Sequence, residues 1–342
     1  MTGHESSAVV GTRSAAVSPC RRVPLRVGMV LLLLAAPAAA QRWAIEDPGQ
    51  GPVPLAAAPE GAHELSGLAW VDGDRYVAVS DDDALLYRLR IAVEPRSGRI
   101  TSAALGAALP LAGGLDLEGV VVAPGGASVF VADETAPSVR EYDLASGHLL
   151  RQARIPTLFT QRRDNLGFEA LARDAEGALW TANEEALRPD GPTSTEAVGG
   201  WVRLLRLDAR LQPTGQWAYQ TDAVAGEAVL GDRGTGVSEL VALPDGRLLA
   251  LERSLGSTGL RIRLYELEVT GASEVSRLPS LAGAALTPVR KFLLWERTSL
   301  RENFEGAALG PPLADGSRSL VLVSDDGHRL AQSLYALRLR AR

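Results

Sequence analysis

Asn165-Leu166-Gly167-Phe168-Glu169-Ala170-Leu171-Ala172 runs into Asp174-Ala175-Glu176-Gly177 and then into Ala178-Leu179-Trp180-Thr181-Ala182-Asn183-Glu184-Glu185. An acid in a short apolar strand, a tight turn and a second apolar strand ending in acids form one unit. The unit recurs four times. His63-Glu64-Leu65-Ser66-Gly67 leads to Val77-Ala78-Val79-Ser80-Asp81, and Asp116-Leu117-Glu118-Gly119 leads to Val131-Ala132-Asp133-Glu134. Val237-Ser238-Glu239-Leu240 leads to Leu249-Ala250-Leu251-Glu252-Arg253, and Asn303-Phe304-Glu305-Gly306 leads to Leu322-Val323-Ser324-Asp325-Asp326.

Each pair of runs is joined by turn chemistry: Asp72-Gly73-Asp74, Pro124-Gly125-Gly126, Asp174 to Gly177, Pro244-Asp245-Gly246 and Asp315-Gly316. Such residues between apolar runs signal hairpins. A third strand with apolar–polar alternation follows each hairpin, over 85–91, 139–144, 202–207, 262–269 and 334–339. Fourth strands are predicted over 100–109, 149–155, 216–220 and 290–295. The repeated glutamates lie 54, 51, 70 and 66 residues apart. An antiparallel unit of three to four strands at this period predicts an all-β fold, a β-propeller. Five blades are visible. A sixth has room within 186–201, 221–236 or 270–300. The last repeat stops at its third strand, so the segment 42–57 is expected to supply the missing outer strand and close the ring.

Composition bounds the rest. Hydrophobic residues make up 46% of the 342 positions and charged residues 22%, ordinary for a globular chain. The net charge of -6 argues against a nucleic-acid partner. Residues 1–40 read as a secretory signal. Arg21, Arg22 and Arg26 precede an apolar run over 27–36, and Ala38-Ala39-Ala40 offers a cleavage site before Gln41. The run is too short to span a membrane, so no stable membrane insertion is expected after cleavage. Arg21-Arg22 leaves twin-arginine export open beside general secretion. The expected product is a periplasmic or secreted monomer with one domain over 41–342. Cys20 is the only cysteine and leaves with the signal, which excludes disulfides, thiol catalysis and cysteine metal sites.

In a propeller the first strand of each blade lines the channel, so Glu64, Glu118, Glu169, Glu239 and Glu305 are expected at equivalent places near one mouth. The acids closing the second strands (Asp81, Asp133, Glu184, Glu252 and Asp325) belong at the same end, because the strands are antiparallel. Crowded carboxylates raise one another's pKa unless cations neutralise them. A hard cation, calcium first, suits a set of oxygen ligands. The other reading is structural: carboxylates repeated in every blade also accept backbone N–H groups of the neighbouring blade. Asp81 and Asp325 stand out as ligand candidates because acids are repeated densely beside them. Arg253 follows Glu252 where other repeats place an acid, and Arg162 lies just ahead of the Phe168-Glu169 strand. Both are candidates for gripping a phosphate or carboxylate. His63 and His328 adjoin the acids and are candidate proton carriers. There is no Gly-x-Ser-x-Gly elbow and no nucleotide-binding glycine motif.

Glu64-Leu65-Ser66-Gly67-Leu68-Ala69, Asp116-Leu117-Glu118-Gly119, Gly167-Phe168-Glu169-Ala170-Leu171, Ala182-Asn183-Glu184 and Asn303-Phe304-Glu305-Gly306 resemble the bacterial "esterase-like activity of phytase" family. The resemblance covers about residues 60–340. It implies an exported phytase-like propeller acting on a small-molecule phosphoester or ester, with calcium held by channel carboxylates to bind phosphate and activate water. On that likeness Glu64, Asp81, Glu118, Glu169, Glu239, Glu305 and Asp325 transfer as calcium ligands and Arg253 as a phosphate contact. The lysines of those phytases do not transfer, since Lys291 is the only lysine. A non-catalytic binding propeller and a metal-dependent lactonase are the alternatives.

Overall fold

The computed structural model describes residues 41–55, 64–81, 83–226, 234–257, 259–299, 301–325 and 332–342, besides the isolated Gly11. His63, Asp82, Asp326 and His328 lie outside the described residues. Ala40–Arg342 forms one compact unit. No α-helix occurs among the described residues, only two 3-10 turns, Thr157–Gln161 and Arg188–Asp190. None of their helices is long and apolar enough to cross a membrane.

The strands form five antiparallel sheets, each one blade. Blade 1 is β3 (Leu65–Asp72), β4 (Arg75–Ser80), β5 (Leu85–Val93) and β6 (Ile100–Pro110). Blade 2 is β7 (Leu117–Val122), β8 (Ser128–Asp133), β9 (Ser138–Asp143) and β10 (Leu149–Gln152). Blade 3 is β11 (Phe168–Arg173), β12 (Leu179–Asn183), β13 (Trp201–Leu207) and β14 (Pro213–Gln220). Blade 4 is β15 (Gly234–Ala242), β16 (Leu248–Gly256), β17 (Gly259–Glu268) and β18 (Arg290–Ser299). Blade 5 is β19 (Asn303–Pro312), β20 (Arg318–Asp325) and β21 (Ser333–Ala341), completed from the other end of the chain by β1 (Trp43–Glu46) and β2 (Val53–Pro54).

That closure matches the expected one. Trp43 to Glu46 pair antiparallel with Ala341 to Arg338, and Val53 and Pro54 with Leu334 and Ser333. The buried Glu266 fastens it: its carboxylate accepts the Arg42 and Trp43 N–H groups and pairs with Arg247. The sixth blade allowed by the spacing is absent among the described residues. Residues 290–299 are the outer strand of blade 4, and 272–275 lie along blade 3, where Glu274 bridges to Trp217.

The second strand of each blade is buried on both faces, which is why Val77-Ala78-Val79, Val129 to Ala132, Leu248 to Leu251 and Leu320 to Val323 are unbroken apolar runs. Each large aliphatic buried there contributes roughly 1.5–3 kcal/mol. The hairpins carry their turn chemistry locally. Asp174 Oδ1 accepts the Ala178 N–H at 2.8 Å and its Oδ2 accepts Trp180 Nε1 at 3.0 Å, while Gly177 takes the left-handed conformation at φ 85°. The inner strands press tightly around the axis. A Cβ on Gly119 would lie 2.5 Å from the Leu171 nitrogen. The inner strands also enclose a cavity of about 180 Å³ lined by residues such as Leu68, Val120, Leu171 and Leu240.

Candidate functional site

Each inner strand slips register once near its start, between Leu65 and Gly67, Leu117 and Val120, Phe168 and Ala170, Val237 and Glu239, and Phe304 and Gly306. A bulge leaves a residue out of the ladder and re-aims it, a device common beside active sites. The bulged position is occupied by Ser66, Glu118, Glu169, Ser238 and Glu305. Only three of the five repeated glutamates are therefore equivalent. Glu64 lies two residues earlier, at φ 51° ahead of β3, and Ser66 in its stead donates to the Leu117 carbonyl at 2.7 Å. Glu239 lies one residue later.

The same pairing places the second strands. Leu65, Leu117, Phe168, Val237 and Phe304 face Ser80, Asp133, Asn183, Glu252 and Ser324. The residues that follow are Asp81, Glu134, Glu184, Arg253 and Asp325. Four blades thus carry an acid at this level and blade 4 carries Arg253. Asp133 and Glu252, expected at the mouth, are instead used in the blade walls. Asp133 pairs with Arg140 at 2.8 Å. Glu252 pairs with Lys291 at 2.6 Å and accepts from the Tyr219 hydroxyl.

Asp116, Glu118 and Glu134 bring carboxylate oxygens within 4.8 Å of one another. Thr135 Oγ1 donates to Asp116 at 2.9 Å and the Gly167 N–H donates to Glu134 at 2.6 Å. Across the mouth Arg253 spans two blades, with Nη2 2.6 Å from Glu184 and Nη1 3.2 Å from Glu305. Gly236 makes room for this: a Cβ there would lie 2.3 Å from Glu184 Cγ. Asn303 Nδ2 donates to Glu305 Oε1 at 2.9 Å and to Asp325 at 3.1 Å.

Glu118 and Glu169 are 6% and 8% exposed, and neither carboxylate accepts a hydrogen bond from any described residue. Burial, then the charges of Glu305, Asp81, Asp116 and Glu134, pushes Glu118 well above the usual carboxylate range. Burial, then Glu118 and Glu184, does the same to Glu169. Burial lifts Glu134 to about 7, with Asp116 adding to it against the Gly167 N–H. Burial also lifts Glu305 to about 7, with Asp325 and Glu184 adding to it and Arg253 opposing. Glu118, Glu169 and Glu134 form no ion pair with a described residue, a condition that a hard cation relieves.

Beside the mouth a cavity of about 430 Å³ is lined by Glu184, Arg253, Glu185, Thr193, Asn165 and Leu255 among others. Its wall is fixed by Glu185, which accepts the Ser194 N–H at 3.0 Å and the Thr235 N–H at 3.1 Å.

The remaining candidates lie elsewhere or do other work. Glu239, 1% exposed, accepts the N–H groups of Leu171 and Leu240 at 2.9 Å each and that of Ala307, tying three blades together. Arg162 donates to the carbonyls of Arg163 at 2.8 Å and Thr135 at 3.0 Å. Asp116, Glu134 and Glu184 join the site without having been singled out as ligands. The usable signal was the fully buried apolar residue of each inner strand: aligned on Leu65, Leu117, Phe168, Val237 and Phe304 instead of on glutamate, the repeats fall at the observed levels.

No curated protein matches the sequence. Among solved structures, a putative glucose-dehydrogenase-type oxidoreductase of Thermus thermophilus is 15% identical over 87% of this chain and 100% of that one, at a TM-score of 0.44. PQQ-bound aldose sugar dehydrogenase of Streptomyces coelicolor is 15% identical over 87% and 99%, at 0.39. Kuenenia stuttgartiensis hydrazine synthase is 14% identical over 78% of this chain, which spans 60% of that one, at 0.36. Likenesses this distant carry nothing about chemistry. The family comparison covers the repeats themselves, since the phytase-like model described as "esterase-like activity of phytase" matches residues 60–328. On that match the chain belongs to the phytase-like, esterase-like-activity-of-phytase family.

Proposed function

We propose that the protein is an exported, metal-assisted hydrolase of a small phosphoester or ester, working at the acidic mouth of the propeller. The supporting observation is the pair Glu118 and Glu169, more than nine-tenths buried, accepting no hydrogen bond from a described residue, and set beside Asp116 and Glu134. Asp116, Glu118 and Glu134 would hold a divalent cation, calcium by donor type, because all their donors are hard oxygens. Such an ion supplies Lewis-acid polarisation of the ester and a water of lowered pKa.

The chain's own groups do the rest. Arg253 fixes Glu184 and Glu305 in place. Glu305 has Oε1 held by Asn303 and Arg253, which leaves Oε2 to hold or release a proton. Its value of about 7 suits proton transfer near neutrality. The cavity walled by Glu185 and Thr193 receives the remainder of the substrate.

Arg253 already bonds two carboxylates, and Lys291 belongs to the Glu252 cluster. This scarcity of free cations favours carboxylic esters or lactones as the second substrate class. Phosphate release from phytate and p-nitrophenyl phosphate, and turnover of p-nitrophenyl acetate and a lactone panel, measured with and without chelator, tests both. Calcium-dependent turnover of either class is expected. None on any substrate overturns the reading and leaves a binding propeller. Export rests on the arginine, apolar and alanine pattern of residues 1–40. Cell fractionation with N-terminal sequencing checks it, with Gln41 the expected first residue.

A further inference from the structure

Blade register turns one residue into an exception. One residue beyond those that face Leu65, Leu117, Phe168, Val237 and Phe304, blades 1, 2, 3 and 5 carry Asp81, Glu134, Glu184 and Asp325, and blade 4 carries Arg253. Six of the carboxylates at the mouth divide accordingly. Glu184, Glu305 and Glu169 surround Arg253: two bond its guanidinium at 2.6 and 3.2 Å, and the third adds to the negative field on it. Asp116, Glu118 and Glu134 gather within 4.8 Å of one another, and no described guanidinium or ammonium group bonds any of them. Both groups hold three carboxylates. One has its cation supplied by the sequence.

We infer that the mouth takes a single divalent cation, on the Asp116, Glu118 and Glu134 side, and that Arg253 is a built-in cation holding the place of a second. This rests on the metal-centre reading above and adds a stoichiometry and a residue role to it. A guanidinium suits the post because it stays charged even when buried and spans two carboxylates with separate nitrogens. Its placement has a consequence for the chemistry: an arginine cannot carry an activated water. Water activation therefore belongs to the blade 2 side, while the blade 3 to 5 side orients what enters the cavity.

The test is a count of bound calcium by isothermal titration calorimetry and by equilibrium dialysis, on the full mature chain and three variants. Glu118→Gln is expected to bind one calcium fewer than wild type. Arg253→Gln is expected to bind one more, and Arg253→Lys the same number as wild type. If Arg253→Gln unfolds in chelator, calcium should restore its folding, read as a circular-dichroism melt. An Arg253→Gln protein with the wild-type count, or one that stays unfolded at saturating calcium, overturns the inference while the metal-centre reading stands. If Glu118→Gln binds as many calcium ions as wild type, the metal-centre reading itself fails.

Discussion

Glu169 and Glu239 follow an apolar inner-strand residue at nearly the same place in adjacent blades, yet they meet opposite surroundings. Glu239 is satisfied from three blades, by the N–H groups of Leu171, Leu240 and Ala307. Glu169 accepts no hydrogen bond from a described residue and faces Glu118 and Glu184. The difference is one residue of register. Glu169 occupies the bulge itself, whereas Ser238 takes that position in blade 4 and moves Glu239 into the wall. A carboxylate enclosed by N–H donors is held as part of the wall, and one enclosed by other carboxylates depends on a nearby positive charge, which for Glu169 is the Arg253 guanidinium. The same residue type at the same sequence landmark serves both purposes.

Glu239→Ala should break the first half of that contrast with the largest effect. It orphans three buried N–H groups, each costing about 1–3 kcal/mol, so a loss on the order of 4 kcal/mol is expected in urea denaturation. The loss should be equal in calcium and in chelator. A loss under about 1 kcal/mol, or one that calcium repairs, would show that Glu239 belongs with the ligands.

Glu118→Gln probes the second half. A ligand at one hundred times its Kd adds about 2.7 kcal/mol to the folded state. Wild type should gain roughly that stability from calcium, measured by melting, and Glu118→Gln should lose most of the gain. In chelator the variant should be no less stable than wild type, because the buried acid it replaces is unsatisfied. An undiminished calcium response in Glu118→Gln would exclude the carboxylate as a ligand.

The legibility of the sequence follows the same divide. Blade number, hairpins and ring closure are carried by strings of residues: five apolar runs, five glycine-bearing turns and a last repeat short of its outer strand. Errors at single positions do not disturb such patterns. Site membership depends on single positions. One extra residue in a bulge decides whether Glu118 or its neighbour faces the mouth, and whether Asp133 or Glu134 does. Glutamate was the wrong landmark for alignment, because it occurs at three different levels: Glu64 before the bulge, Glu118, Glu169 and Glu305 on it, and Glu239 after it. The buried apolar residue was the right one, since the core admits it at only one level. Arg253, read as an exception among acids, keeps that status in the structure; its partners Glu184 and Glu305 lie on other blades and were beyond any local pattern.

A pH series tests Glu305 next. Burial holds Glu305 at about 7 when folded, against about 4.5 for an ordinary glutamate. The folded state therefore binds more protons than the unfolded state between those values, and its stability falls as pH rises through that window. In chelator a decline on the order of 2 kcal/mol is expected from Glu305 between pH 4.5 and 7, with Glu134 adding to it and Glu118 and Glu169 carrying it to higher pH. Glu305→Gln should flatten part of the decline. A wild-type stability that rises over the same window would mean that the charged form of Glu305 is already compensated by Arg253 and Asn303.

The smallest effect should come from Arg162, where the contrast between site and scaffold is settled by backbone contacts. Its guanidinium donates to the carbonyls of Arg163 and Thr135, which ties the segment ahead of β11 to the end of blade 2. Both bonds are replaceable by water at this half-exposed position, so Arg162→Ala should cost about 1 kcal/mol or less in urea denaturation. The calcium response and the KM for any hydrolysed ester should stay at wild-type values. A severalfold rise in KM with unchanged stability would instead place the Arg162 guanidinium on the substrate, and would make the segment ahead of β11 part of the site.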